Sequence, residues 1–285
     1  MGEKNIAVFF LSVFLLVQIL GLYIGSQYLS LISSGQAQPV FENPASVGNS
    51  VFLFVYILVG TGLIILAVKF WKFLIRIVEV VAVFSASMIT FMFLIPFEVL
   101  QVPLGILLAI GLTAWKMLRP SFLSQNLSLI FSIAGAGAII GASLGMLPSL
   151  VFLLLLSVYD FTAVFITKHM VYIAKEIVKR PTAFTLAFPY RFKKPVSYSV
   201  GKTKIKKKFH IFQLGGGDIA IPLMFAVSAL ASFSLVHALS IAIGSAVALG
   251  LLIFYSAKRP GMVLPALPFI SAGSILGFLI SVLIF

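Results

Sequence analysis

"QLGGGDIAIP", residues 213–222, sets an aspartate behind three glycines and ahead of a long apolar run. Asp218 is one of only 7 acidic residues in a chain of 285. What surrounds it decides the fold. Hydrophobic residues make up 61% of the chain and charged residues 9%, and the mean hydropathy of +1.18 lies far outside the range of soluble domains. The chain reads as an all-α polytopic membrane protein forming one integral membrane domain. Cysteine is absent, which excludes disulfides, thiolate metal sites and cysteine nucleophiles.

A helical crossing takes about 20 apolar residues. Nine stretches qualify, at 6–28, 50–68, 73–95, 99–115, 123–144, 147–167, 211–232, 239–257 and 261–285. The opening "MGEKNIAVFFLSVFLLVQILGLYIG" has a charged tip but an apolar run too long for a signal peptide, so it is read as a retained first helix. The organisation expected is helices one to six over 1–167, a basic cytoplasmic connection over 168–210, and helices seven to nine over 211–285.

The basic residues test that count independently, because lysine and arginine concentrate on the cytoplasmic side. Lys4, then Lys69, Lys72 and Arg76, then Lys116 and Arg119, then a run of twelve from Lys168 to Lys208, then Lys258 and Arg259 account for all 20. All fall on one side of a nine-span chain with a cytoplasmic amino terminus and an outer carboxyl terminus. Miscounting by one span would scatter them. The net charge of +13 is thereby explained by topology and by attraction to anionic lipid headgroups, with no nucleic-acid partner implied. Gly137, Gly141 and Gly145 in "AGAGAIIGASLG", residues 134–145, recur every four positions and predict close helix packing.

With the membrane placed, the acids sort themselves. Glu3, Glu42, Glu98 and Glu176 fall at tips or in connections, and Glu79 stands one turn from Arg76, where a local pair is expected. Asp160 and Asp218 remain. An acid at mid-membrane costs about 3 kcal/mol or more unless it faces protein or water, so each marks a candidate functional site. Asp160 lies eight residues before Lys168 and Asp218 eight after His210, which puts both about 12 Å inside the cytoplasmic edge if the chain is helical. Helices six and seven run antiparallel, so the two carboxylates can meet. Gly215, Gly216 and Gly217 remove bulk at the point of approach and allow unusual backbone geometry. Pro222 leaves the Asp218 carbonyl without its helical donor.

Two carboxylates in contact cannot both ionise easily, so one keeps a proton while the other acts as a base. Hydrolysis of a peptide bond by an activated water uses that arrangement. A proton-coupled transporter or cation channel would use the same residues, and spacing leaves both readings open. His169, His210 and His237 are scattered and have no acid cluster beside them; neither a metal nor a cofactor is expected.

Three ordered motifs now point to a family. Tyr159-Asp160 in "LLSVYDFTAVF", residues 155–165, Gly215-Gly216-Gly217-Asp218 as a G-x-G-D, and Pro265-Ala266-Leu267 in "VLPALPF", residues 263–269, resemble the signatures of the presenilins and signal peptide peptidases. These are intramembrane aspartyl proteases, and the motifs fall in the sixth, seventh and ninth spans as that family requires. The resemblance implies that Asp160 and Asp218 are catalytic and that Pro265, Ala266 and Leu267 shape the site and help hold substrate. Its substrates would be membrane-spanning proteins or peptides. Gly216 stands where the family more often has leucine. The basic connection after Asp160 matches the presenilin orientation and not the inverted one of signal peptide peptidases. Lacking a long acidic or serine-rich tail, the chain resembles microbial homologues, which implies activity without accessory subunits. Prepilin peptidases share G-x-G-D but neither the span count nor the Pro-Ala-Leu segment.

The basic connection has two textures. In "KHMVYIAKEIVKR", residues 168–180, Met170, Ile173 and Ile177 recur at helical spacing and predict an interfacial extension of helix six ended by Pro181. In "PVSYSVGKTKIKKKF", residues 195–209, Val196, Tyr198 and Val200 alternate with polar residues, predicting a small β element. Tyr198 and Val200 are candidate substrate contacts, pairing edge to edge with an unwound substrate.

Overall fold

The computed structural model describes residues 3–70, 72–167, 185–200, 203–257 and 264–285. Nine α-helices stand among them: α1 (Glu3–Ser33), α2 (Gly48–Phe70), α3 (Lys72–Leu94), α4 (Glu98–Leu118), α5 (Phe122–Ala142), α6 (Met146–Phe161), α7 (Gly217–Ser232), α8 (Leu235–Ala257) and α9 (Leu267–Ile284). Seven are long and apolar enough to cross a membrane, and Gly48–Ile64 and Gly217–Ser232 are shorter apolar helices. The chain is a multi-pass membrane protein. Residues 168–184, where the interfacial extension of helix six is expected, lie outside the described residues.

The helix α7 occupies the centre. Ile219, Leu223, Met224, Phe225, Ala226, Val227 and Ala229 are all buried, against α1, α5, α6, α8 and α9. Lipid tails are as apolar as these side chains, so helices hold together by close packing where small residues let backbones approach. A Cβ on Gly141 of α5 would stand 2.7 Å from the Met224 carbonyl oxygen, and one on Gly137 would stand 2.9 Å from Leu223 Cδ2. Gly145, the third of that series, has a different role: it caps α6, and its N–H bonds the Pro44 carbonyl at 2.8 Å. The helices α8 and α9 approach through Gly244, Gly273 and Gly277, where an added Cβ would run into facing backbone carbonyls.

Two expectations are corrected. Glu79 is buried and bonds Lys116 of α4, so its cross-helix partner is a lysine that the linear reading had put in a connection. The fourth helix simply continues past 115 to Leu118 and carries Lys116 inward. The expected seventh span also begins too early. Residues 211–215 belong to strand β2 (Thr203–Gly215), antiparallel to β1 (Thr185–Val200). That hairpin is longer than the alternation in 195–209 predicts. Its base is part of the core: Leu186 and Leu214 are buried, and Phe188 packs on Phe9 of α1 with ring centroids 4.7 Å apart.

Candidate active site

Asp160 stands on the last turn of α6, where the helix widens into a π-helical turn, Thr162–Ile166. The Thr167 N–H reaches back five residues to the Thr162 carbonyl at 2.9 Å. Such turns redirect the side chains beside them and are frequent at functional sites. One Asp160 carboxylate oxygen, Oδ2, accepts the backbone N–H of Leu267 at 3.2 Å. The residues 264–266 ahead of α9 are not helical, and Pro265, Ala266 and Leu267 are all buried. The first N–H groups of a helix have no partner within it, so the start of α9 supplies a donor and Asp160 takes it. Residues 264–266 thus form an irregular lead-in to α9, and the contact of the Pro265-Ala266-Leu267 segment with the carboxylate is through backbone.

A second link ties the same helices together. The hydroxyls of Ser157 and Ser271 lie 2.7 Å apart and are buried, one turn before Asp160 and one turn after Leu267. Tyr159 faces α2. Its ring meets Phe54 edge to face at 6.2 Å, and its hydroxyl bonds the Thr61 side chain.

Asp218 stands in the first turn of α7, where backbone N–H groups and the helix dipole favour an anion. Its Oδ2 accepts the Gly215 N–H at 3.2 Å. A Cβ on Gly215 would lie 3.0 Å from that oxygen, so the glycine keeps the carboxylate uncrowded. Unusual backbone geometry is not what the glycines provide, against expectation. Gly216 caps the helix at φ −61 and ψ −32, ordinary helical values, and the only described glycine with positive φ is Gly35. Asp160 and Asp218 are close enough to interact electrostatically, and both are half-buried.

The hairpin register separates the remaining candidates from the carboxylates. Thr185 pairs with Gly215, whereas Tyr198 pairs with Ile205 and Val200 with Thr203. Gly215 lies ten positions beyond Ile205 along β2, about 33 Å of strand. Tyr198 and Val200 are thus at the far end of the hairpin, because β2 passes directly into Gly215 and only its last residues approach Asp218. Two buried glutamines, not among the expected site residues, also reach this region. Gln125 of α5 donates to the Thr185 carbonyl at 2.8 Å, and Gln18 of α1 donates to the Ile219 carbonyl at 3.3 Å. Each was visible as an amide inside an apolar span, and only the tertiary contact gives it a target.

On the outer side of α6, a largely apolar groove of about 1350 Å³ runs between Phe161 and Phe165 and the α8–α9 pair, reaching Pro265. Among the described residues no three His, Cys, Asp or Glu side chains are grouped as a metal site would need. His237 bonds Ser234 at 2.8 Å and stacks near Phe233.

A bundle of apolar helices that carries one aspartate on each of two successive membrane helices and brings them to a common layer is the architecture of an intramembrane aspartyl protease. The chain belongs to the signal-peptide peptidase, presenilin aspartyl protease family, whose sequence profile matches residues 11–285. Two solved structures of a presenilin family intramembrane aspartate protease share its fold. The one in space group C222 is 23% identical and superposes with a TM-score of 0.69 over 98% of this chain and 99% of that one. The one in space group P2 is 22% identical, with a TM-score of 0.65 over 95% and 97%. No curated protein sequence matches the chain. Neither the family nor the solved structures point to a transporter or channel.

Proposed function

We propose that Asp160 and Asp218 are the catalytic pair of this protease and that it hydrolyses peptide bonds within membrane-spanning helices. The observation that carries this reading is that two half-buried aspartates from α6 and α7 interact while each is held by one backbone N–H, from Leu267 and from Gly215. In each aspartate that bond engages Oδ2, so among the described residues neither carboxylate is tied through both its oxygens.

The ionised carboxylate takes a proton from water as the oxygen attacks the scissile carbonyl carbon. The protonated carboxyl donates to the developing oxyanion. The tetrahedral intermediate then collapses, the C–N bond breaks, and a proton passes to the leaving nitrogen. No covalent enzyme intermediate forms. Because the proton is shared, activity should rise and then fall with pH, and both limbs belong to the pair.

A helical substrate must first expose its carbonyl. The apolar groove between α6 and the α8–α9 pair suits an apolar helix and reaches Pro265. The base of the hairpin, close to Leu214 and Gly215, is where an unwound stretch would find strand edges beside Asp218. Main-chain pairing of that kind is nearly indifferent to side chains. The amino terminus is cytoplasmic and the carboxyl terminus outside in the cell membrane, on the one-sidedness of the basic residues. The chain works in the lipid bilayer without accessory subunits.

The test is cleavage of a single-span model substrate by the purified chain in liposomes, with products identified by mass. Asp160→Asn and Asp218→Asn each keep the shape and hydrogen-bonding capacity but remove one half of the proton exchange. Loss of at least about a hundredfold in rate is expected from either. Near-normal cleavage by either folded variant removes that residue from the pair.

A further inference from the structure

Gln18 stands in the middle of α1 and is 1% exposed. Its Nε2 donates to the carbonyl of Ile219, the residue directly after Asp218. The same face of α1 lies flush on α7. A Cβ on Gly25 would stand 2.7 Å from Val227 Cγ1, and one on Gly21 would collide with Leu223. Gln18, Gly21 and Gly25 thus meet Ile219, Leu223 and Val227 in order, and the only polar contact in that series falls beside Asp218.

Two features make this amide more than packing. Pro222 has no N–H, so the Asp218 carbonyl lacks the usual donor four residues on, and the first turn of α7 is short of its own bonds. An outside donor at Ile219 fixes the rotation and depth of that weakened turn. Moreover, Gln18 Oε1 is buried and has no hydrogen-bond partner among the described residues. Exchanging the amide oxygen and nitrogen would not relieve this, since it would set oxygen against the Ile219 carbonyl. An unmet buried acceptor works against stability, so the amide is poorly explained as a stabilising device for the bundle.

We infer that Gln18 is a positioning residue for proteolysis: by holding the Ile219 carbonyl it orients the first turn of α7 and with it the carboxylate of Asp218 toward Asp160. The inference rests on the catalytic assignment above. Gln18 acts through α7.

The experiment compares the purified full chain with Gln18→Met, which keeps the length of the side chain but removes both the donor and the unmet acceptor. Cleavage of the single-span substrate in liposomes is followed against substrate concentration, and thermal unfolding is followed in detergent. The expected result is a fall in kcat of about tenfold or more, since small misplacements of reacting groups carry large losses, with KM within about twofold and no lowering of Tm. Gln18→Glu, neutral at that depth and still able to donate from an O–H, is expected to recover part of the lost kcat. Unchanged kcat in Gln18→Met overturns the inference. So does a loss accompanied by a lower Tm or by failure to fold, because the amide would then be structural. Failure of the unsubstituted chain to cleave would instead count against the protease assignment of the two aspartates.

Discussion

The tie between α6 and α9 gives the sharpest test of how the site is held. Ser157 and Ser271 sit 2.7 Å apart, and Ser157 also lies 2.7 Å from the Leu153 carbonyl of its own helix. A hydroxyl carries one proton. If Ser157 gives its proton to Leu153, Ser271 must donate to Ser157, and the pair then forms a relay from α9 into α6. Removing Ser271 leaves Ser157 satisfied within its helix, so the cost of Ser271→Ala is close to the worth of one interhelical bond. Such bonds in membranes average about 0.6 kcal/mol and reach about 1.7. If the bond forms only when α9 sits against α6, with the Leu267 N–H on Asp160, weakening it lowers the equilibrium constant for that arrangement by about 3-fold to 18-fold. The assay is a double-mutant cycle of Ser157→Ala, Ser271→Ala and the pair, reading unfolding free energy in detergent and cleavage rate in liposomes. A coupling of about 0.6–1.7 kcal/mol in stability is expected, with a measurable rate loss of no more than about 18-fold. Additive effects, or cleavage untouched by a measurable coupling, would refute the idea that this tie sets the site.

Three further outcomes follow from the geometry. Leu267→Arg places a cation at a buried position whose N–H serves Asp160, and it should abolish cleavage while size-exclusion behaviour stays that of the folded protein. A proline scan along the hairpin should discriminate position: substitutions over 211–214, which adjoin Gly215, should reduce cleavage strongly relative to alanine controls, whereas Tyr198→Pro and Val200→Pro should not. Equal effects at both ends would mean that the hairpin acts as a whole and not as a template at its base. Lys116→Met or Glu79→Gln alone breaks a buried ion pair and should cost up to about 3–5 kcal/mol. Glu79→Leu combined with Lys116→Met should recover most of that loss in thermal unfolding.

Much of this protein can be read from its residues in order. Long apolar runs must become helices in a bilayer, because a helix satisfies its backbone internally, and one-sided lysine and arginine then count the crossings. Asp160 and Asp218 stand out because a carboxylate in such a run is costly, and proline ahead of Ala266 and Leu267 marks an irregular backbone before any contact is known. These are properties of one chain segment in one solvent. The hairpin base, the Glu79–Lys116 pair and the reach of Gln18 to Ile219 are of another kind. Each depends on which face of a helix meets which neighbour, and lipid, which competes for every apolar face alike, leaves that choice to glycine contacts and single polar groups many residues apart. The position of β2 shows the difference most plainly: residues 211–215 are apolar enough to look like the start of a helix, and only pairing with β1 makes them a strand that delivers Gly215 to Asp218. Tyr198 and Val200 alternated as strand residues should, but register, which local sequence does not encode, put them at the wrong end.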